Sequence, residues 1–251
     1  MNRKNFIFAA MLFAALSLGF VSCDDKGNEP DDPQGEQTEQ SGSTENNGGE
    51  ETPEPADPYS GHAYVDLGLS VKWATCNVGA TKPEEYGNYY AWGETSPKTT
   101  YDYSTYKWCN GSYDTMTKYC TDSDYGTVDN KTVLDPEDDA AAVNMGGSWR
   151  MPTAEEQKEL IDECTWTWTT LNGVNGYNVE GSNGNSIFLP AAGCRYDGDL
   201  LDAGSLGYYW SSSLGTGDSD GAYNLHFSSV DVVWNDYDRC CGRSVRGVFS
   251  H

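Results

Sequence analysis

Thirty-five consecutive residues without one large apolar side chain limit where this chain can fold. Residues 24–58 consist of Gly, Ser, Thr, Asn, Gln, Pro, acids and one base, and their largest aliphatic residue is Ala56. Twelve acids against the single base Lys26 repel one another, and the prolines keep the backbone extended. Such a segment buries too little apolar surface to offset the entropy of ordering. We therefore expect a disordered acidic linker over 23–58 and a folded domain over 59–251.

The residues before the linker have the pattern of a secretory leader. Arg3 and Lys4 provide a positive start, and an apolar run follows over residues 6–20. This run is too short for a permanent membrane helix. The pattern predicts that residues 1–22 are a signal peptide that is removed from the mature protein.

The end of the leader resembles a bacterial lipobox. The residues Phe20, Val21, Ser22 and Cys23 fit that motif, although Phe20 stands where Leu is usual. The resemblance implies that Cys23 carries several acyl chains such as palmitate, which would anchor the protein in the outer membrane without a spanning segment. The acids directly after Cys23 look like the signal that sends lipoproteins of Bacteroidetes to the cell surface. Ordinary secretion, with Cys23 as an unmodified thiol, is the alternative.

Charge excludes some partners. The whole chain has a formal net charge of -24, and about -15 of it belongs to residues 59–251. An acidic surface is repelled by phosphates, so we expect no nucleic acid partner and no binding to bare anionic lipid. Cations, neutral glycans and basic proteins remain possible partners.

The folded part has the composition and patterning of a mixed α+β domain. Tyr, Trp, Gly, Asn, Asp and Ser are abundant and Leu and Ile are scarce, which favours many short strands and long ordered loops. We expect an opening hairpin from 64–67 and 71–75 around Gly68, a strand over 86–92, and a long loop over 98–132. Further strands are expected over 166–168, 186–190, 207–213, 223–228, 232–235 and 244–248.

Two helices have clear start signals. Asp138 or Asp139 can cap a short Ala-rich helix that ends at Gly146. Thr153 and Glu156 form the pattern of a capping box, which predicts a helix that runs to about Cys164.

Seven cysteines fall in the folded part, so one is left unpaired even if the others form disulfides. No pair of cysteines has the spacing of a zinc site. The pairing is open, and most of these residues are expected to be small buried side chains.

Several ordered motifs of the folded part occur together in one known family. They are residues 149–153 (WRMPT), 189–193 (LPAAG), 207–213 (GYYWSSS) and 244–246 (SVR), with an opening at 65–74 (VDLGLSVKWA). The domain thus resembles the Fibrobacter succinogenes major paralogous domain, which is common in lipoproteins of gut Bacteroidetes. This resemblance implies a C-type-lectin-like fold, related to the formylglycine-generating enzymes and to the variable proteins of diversity-generating retroelements. Gly247 departs from the family's usual Pro, and Cys240 and Cys241 stand where tyrosines are frequent.

The resemblance also implies where a ligand would bind. In this fold the last strands and loops present the ligand surface, and Tyr, Asn, Asp and His are residues that adaptable recognition surfaces use. A simpler interpretation is that these polar residues only form solvated strand faces and turns. A more specific one is that a retroelement diversifies this tract. The candidate ligand-binding residues are Asn224, His226, Asn235, Asp236, Tyr237, Asp238, Arg239 and Arg243.

A calcium site is the candidate metal centre. Trp234, Asn235 and Asp236 match the triplet with which sugar-binding C-type lectins place an amide oxygen and a carboxylate on Ca²⁺. The second triplet that those lectins use is absent upstream. Calcium is therefore the one cofactor considered, with Asn235 and Asp236 as its ligands.

No catalytic motif stands out. His226 is the only histidine in an expected strand, the serines of 211–213 lack a nucleophile elbow, and the acids are too scattered to select a pair. Arg150 and Arg246, within the recurring motifs, are expected to hold the scaffold by pairing with acids or carbonyls. The sequence predicts a surface lipoprotein that binds a glycan or a protein without catalysis. The alternatives are a subunit of a surface assembly and, behind it, a formylglycine-generating-type enzyme.

Overall fold

Short strands dominate the computed structural model, which describes residues 60–250. The architecture is mixed α+β, as the sequence predicts. The signal peptide, Cys23 and the linker lie outside the described residues, so those assignments stay predictions. The elements are β1 (Tyr64–Val65), β2 (Val71–Asn77), α1 (Ala140–Met145), α2 (Ala154–Glu163), β3 (Thr165–Leu171), β4 (Val174–Glu180), β5 (Ser186–Pro190), β6 (Cys194–Tyr196), β7 (Asp199–Leu201), β8 (Gly207–Leu214), β9 (Gly221–Phe227), β10 (Val232–Asp238) and β11 (Arg246–Ser250).

The strands form small antiparallel sheets. Their orders are β1-β2-β11, β3-β4-β5 and β8-β9-β10, and β6 pairs with β7. In the first sheet β11 lies beside β2, with Val248 opposite Trp73. Both of these side chains are buried, so the last strand of the domain completes a core that the first hairpin begins.

Both helices begin where the sequence predicts. The Asp139 carboxylate accepts hydrogen bonds from the N–H groups of Ala141 and Ala142, and α1 ends before Gly146. Thr153 and Glu156 form the reciprocal capping box at the start of α2. These local bonds satisfy backbone donors that no helical carbonyl can reach, which is why the positions could be identified from sequence.

Arg246 holds three parts of the domain together, as predicted for the recurring arginines. Its guanidinium is fully buried and donates to the Asn77 side chain at 3.0 Å and to the carbonyls of Ala74 at 3.1 Å and Phe188 at 2.9 Å. Arg150 forms a bidentate pair with Glu156 at the start of α2.

One expected strand is missing. Residues 86–92 contain only an isolated bridge, in which Tyr90 exchanges backbone hydrogen bonds with Arg243. Gly87 and Gly93 adopt φ values of 70° and 75° and bend the chain at either end, so the segment follows the C-terminal loop instead of entering a sheet. The long loop over 98–132 is confirmed, since it holds isolated bridges but no strand or helix.

Two sequence details can be compared with the structure. A Cβ at Gly247 would lie 2.6 Å from Met145 Sδ and 3.2 Å from the Trp149 ring, so any side chain here requires its neighbours to shift. All seven cysteines of the described residues are free thiols, and only Cys120 and Cys240 are buried, so the expectation that most of them are buried is wrong.

Candidate ligand-binding face

The sheet of β8, β9 and β10 gathers aromatic rings on one side. Tyr208 lies opposite His226, and the two rings stack with centroids 4.5 Å apart and planes within 5°. The Tyr237 ring meets both edge-on, at 6.4 Å from Tyr208 and 6.3 Å from His226. Alternation along antiparallel strands places these side chains on the same side of the sheet.

The Arg243 side chain packs against this cluster. Its guanidinium lies 4.4 Å from the Tyr237 ring centroid, 4.8 Å from that of Tyr208 and 4.5 Å from that of Trp210. It also donates a hydrogen bond to the side-chain oxygen of Asn224. Cation–π contacts of this kind gain strength when the cation is desolvated. The rings are therefore held in one arrangement before any ligand arrives.

The expectation that Asn224 and Arg243 are exposed for ligand contact is wrong. Asn224 is 0% exposed and Arg243 only 3%. The reason is that Arg243 and Asn224 are hydrogen-bonded to each other and that the Tyr208, Trp210 and Tyr237 rings pack on the guanidinium, so the pair lies inside a cluster of aromatic side chains. The Asn224 amide donates to the Asn235 carbonyl at 2.8 Å, which satisfies it within the sheet.

The same correction applies to Arg239, which is fully buried. Its guanidinium donates to the Tyr106 hydroxyl at 2.9 Å, and its ring neighbours are Trp92 and Tyr106. The remaining N–H groups reach backbone carbonyls of the long loop and of the turn before β9: Lys118, Tyr119 and Ser219. Arg239 anchors the loop and does not contact a ligand.

The other predicted residues stay accessible to different degrees. Asn235, Tyr237 and Asp238 are exposed, whereas His226 and Asp236 are half-buried. The Nε2 atom of His226 is buried and has no hydrogen-bond partner among the described residues. Burial, and then the Arg243 guanidinium, lower the pKa of His226, which favours the neutral imidazole.

The proposed calcium ligands are only partly available. The Asn235 side-chain oxygen accepts the Asp236 N–H at 3.0 Å, and the neighbouring Trp234 ring stacks on Tyr223 at 3.9 Å. Within residues 60–250, no group of three acidic, histidine or cysteine side chains is placed to hold a metal ion. Calcium at Asn235 and Asp236 stays a prediction with no further side-chain ligand of these types.

Sequence reasoning missed the tyrosines of the long loop. The Tyr103 and Tyr113 rings are 6.3 Å apart, and Tyr113 and Tyr125 are 6.5 Å apart. The Tyr103 ring lies close to Asp238 at the end of β10, where burial, and then the Asp238 carboxylate, raise the pKa of Tyr103. The only sequence signal was the unusual density of Tyr and Asp over 98–132. We call Tyr208, His226, Asn235 and Tyr237, which share one side of the sheet of β8, β9 and β10, the tyrosine face.

Acids lie close to the tyrosines of the long loop. Burial, and then the nearby carboxylates of Asp238 and Asp218, raise the pKa of Asp220 to about 6. Asp238 also raises the pKa of Tyr196, after burial and other neighbours. These rings therefore lie next to hydrogen-bond acceptors, some of which carry charge.

Two adjacent thiols, Cys240 and Cys241, lie near Tyr103 and Tyr196. A hydrogen bond from Cys240, and also the Arg243 guanidinium, lower the pKa of Cys241, whereas Cys240 is shifted in the opposite direction. Burial raises the pKa of the nearby Cys194 to about 11. The sequence pattern gave no sign that these three cysteines approach one another.

Comparisons with known proteins found no match: no family model, no curated protein and no solved structure corresponds to the chain. The resemblance described above therefore stays a prediction. Among the described residues, no helix combines the length and the apolar character needed to cross a membrane.

Proposed function

We propose that the protein is a non-catalytic recognition lipoprotein that binds a glycan through the tyrosine face. In this proposal residues 59–251 form a C-type-lectin-like domain that the acidic linker and Cys23 hold at the outer face of the outer membrane. The observation that carries the proposal is the Tyr237 ring, exposed to solvent yet held by Arg243, Tyr208 and His226.

Glycans suit this surface for a physical reason. One side of a sugar ring is apolar and packs on an aromatic ring, and its hydroxyls need acceptors nearby. Tyr237 is 37% exposed, and the exposed Asn235 supplies an oxygen acceptor on the same side of β10. Tyr also offers large area at low cost in side-chain entropy.

The absence of turnover is part of the proposal. The His226 Nε2 atom, which could act as a base, is buried and has no hydrogen-bond partner among the described residues. A general base has to reach the proton that it removes. The buried arginines are engaged with carbonyls, amides and rings, which suits a scaffold.

A protein partner is the second candidate. The β6-β7 hairpin exposes Tyr196, Leu200 and Leu201 by 46%, 40% and 38%. Aromatic and aliphatic side chains on a projecting hairpin favour a protein contact. A surface assembly that docks one fixed protein on this hairpin would use that patch.

A glycan array with the purified full chain tests the first candidate. We expect binding to a defined set of glycans that Tyr237→Ala reduces tenfold or more, because aromatic anchors carry much of the binding energy. Tyr64→Ala is the matched control, since Tyr64 is also 37% exposed but lies on β1. Equal losses in both variants, or binding of one protein and no glycan, would contradict the glycan assignment. Repeating the array with EDTA tests the calcium prediction.

Fractionation of cells tests the anchor. We expect the chain in the outer membrane fraction and accessible to added protease, and Cys23→Ala in the soluble fraction. Wild-type protein that is soluble in the periplasm would contradict the assignment of residues 1–58.

A further inference from the structure

A cavity of about 390 Å³ lies beside strand β6. Arg195 enters it, and its strand neighbours Cys194 and Tyr196 point the opposite way because side chains alternate along a strand. The other walls come from the loop after β2, chiefly Tyr89 and Tyr101. Small-molecule sites in proteins have volumes in this range.

Arg195 differs from the other arginines of residues 60–250. Arg150, Arg239, Arg243 and Arg246 each donate side-chain hydrogen bonds to protein acceptors. Arg195 donates none to the described residues, and its guanidinium lies 5.2 Å from the Tyr89 ring centroid. A half-buried guanidinium with its N–H fork unused is suited to a planar anion, which it can bind through two parallel hydrogen bonds.

The walls of the cavity are fixed in advance. The Tyr89 hydroxyl donates to the Ala192 carbonyl at 2.6 Å, and the Tyr101 hydroxyl donates to the Tyr89 carbonyl at 2.7 Å. The second cation, Lys98, is already bound to the Glu94 carboxylate at 2.9 Å and to the Thr105 carbonyl at 3.1 Å. Arg195 is thus the one cation whose hydrogen-bonding capacity is open to a ligand among the residues that line the cavity.

We propose that this cavity binds the carboxylate of a sugar acid. A single available guanidinium matches a single negative charge, and no acidic residue lines the cavity. A phosphate dianion would need more positive charge, because the folded part carries about -15 and repels multivalent anions. Exposed Asn88 and Thr99 at the rim can exchange hydrogen bonds with the hydroxyls of a sugar, and the Tyr89 and Tyr101 rings limit its depth.

Calorimetry with the purified full chain tests the proposal. The probes are glucuronate, galacturonate and N-acetylneuraminate, with glucose as the uncharged match and inorganic phosphate as the other anion. We expect saturable binding of at least one sugar acid, about tenfold or more weaker in Arg195→Gln because a hydrogen bond to a charged group is lost. Arg195→Lys keeps the charge without the fork and should fall between the two.

Lys82→Gln is the control, because it removes one positive charge from an exposed position outside the cavity. It should bind like the wild type. Thermal unfolding of every variant shows that the fold is kept. The proposal is overturned if no sugar acid binds, if Arg195→Gln binds as well as the wild type, or if glucose or phosphate binds equally well.

Discussion

Strand β10 and the segment directly after it contain similar residue types but lie in opposite environments. Asn235, Tyr237 and Asp238 of the strand are exposed. In the next eight residues, Arg239 and Arg246 are 0% and 1% exposed although both carry full charges. Polar composition alone therefore does not decide exposure in this part of the chain.

The difference teaches what allows a charge to be buried. The guanidinium groups of the buried arginines contact backbone carbonyls and aromatic rings, so their N–H groups are paired where water is excluded. An unpaired charge in such a place would cost several kcal/mol. The residues of the strand are not enclosed in this way and remain in contact with water.

The largest effect is expected from Arg246→Met. The change leaves the Ala74 and Phe188 carbonyls and the Asn77 side chain without their donor, and each buried group without a partner costs about 1–3 kcal/mol. We expect a loss of roughly 4 kcal/mol in the free energy of unfolding, measured by urea titration. Lys82→Met is the exposed control and should change stability by less than about 0.5 kcal/mol. Similar values for both variants would remove the distinction between the two regions.

A somewhat smaller loss is expected from Arg239→Met, about 3 kcal/mol, because its carbonyl partners lie in loops that can turn toward water, whereas those of Arg246 lie in β2 and β5. This arginine links the C-terminal segment to the carbonyls of Lys118, Tyr119 and Ser219. Hydrogen exchange should therefore accelerate in residues 118–121 while β2 and β11 stay protected. Uniform acceleration over the domain would show that Arg239 supports the whole core and not the loop.

Tyr237→Ala should change stability by no more than about 1 kcal/mol, because its ring is partly exposed and makes no side-chain hydrogen bond with the described residues. Its effect belongs to ligand binding, as described above. Thermal unfolding of Tyr237→Ala beside Arg239→Met measures the contrast directly. A loss as large as that of the arginine variant would place Tyr237 in the scaffold.

An effect of opposite sign is expected from Asp220→Asn. Burial and the neighbouring carboxylates raise the pKa of Asp220 to about 6 from 3.8, so the folded state holds the proton more tightly than the unfolded state. The wild type then loses stability as the pH rises from about 4 to 6. Asp220→Asn should have the higher melting temperature at pH 7, and the difference should vanish below about pH 4. A constant difference across this range would rule out the titration as its cause.

The parts of the fold that could be predicted are those set by local chemistry. Asp139 and the pair Thr153 and Glu156 mark the helix starts because each satisfies backbone donors within three residues. The prediction of a strand over 86–92 was wrong because the hydrogen-bonding partner of this segment is the loop at Arg239 and Arg243, which is distant in sequence. The strand pattern could not reveal that partner.

The two candidate sites also differ in whether they could be predicted from the sequence. Tyr237 and Asn235 could be predicted, because alternation along a strand indicates which side chains share a face. Arg195 could not, since its cavity exists only where residues 87–101 pack against β6.

By itself the sequence determined the helix starts and the succession of short strands, because these follow from residues close together in the chain. Only the tertiary structure decided which charges are buried and which guanidinium is open to a ligand. Burial depends on acceptors brought from more than a hundred residues away, as Lys118 and Tyr119 are brought to Arg239.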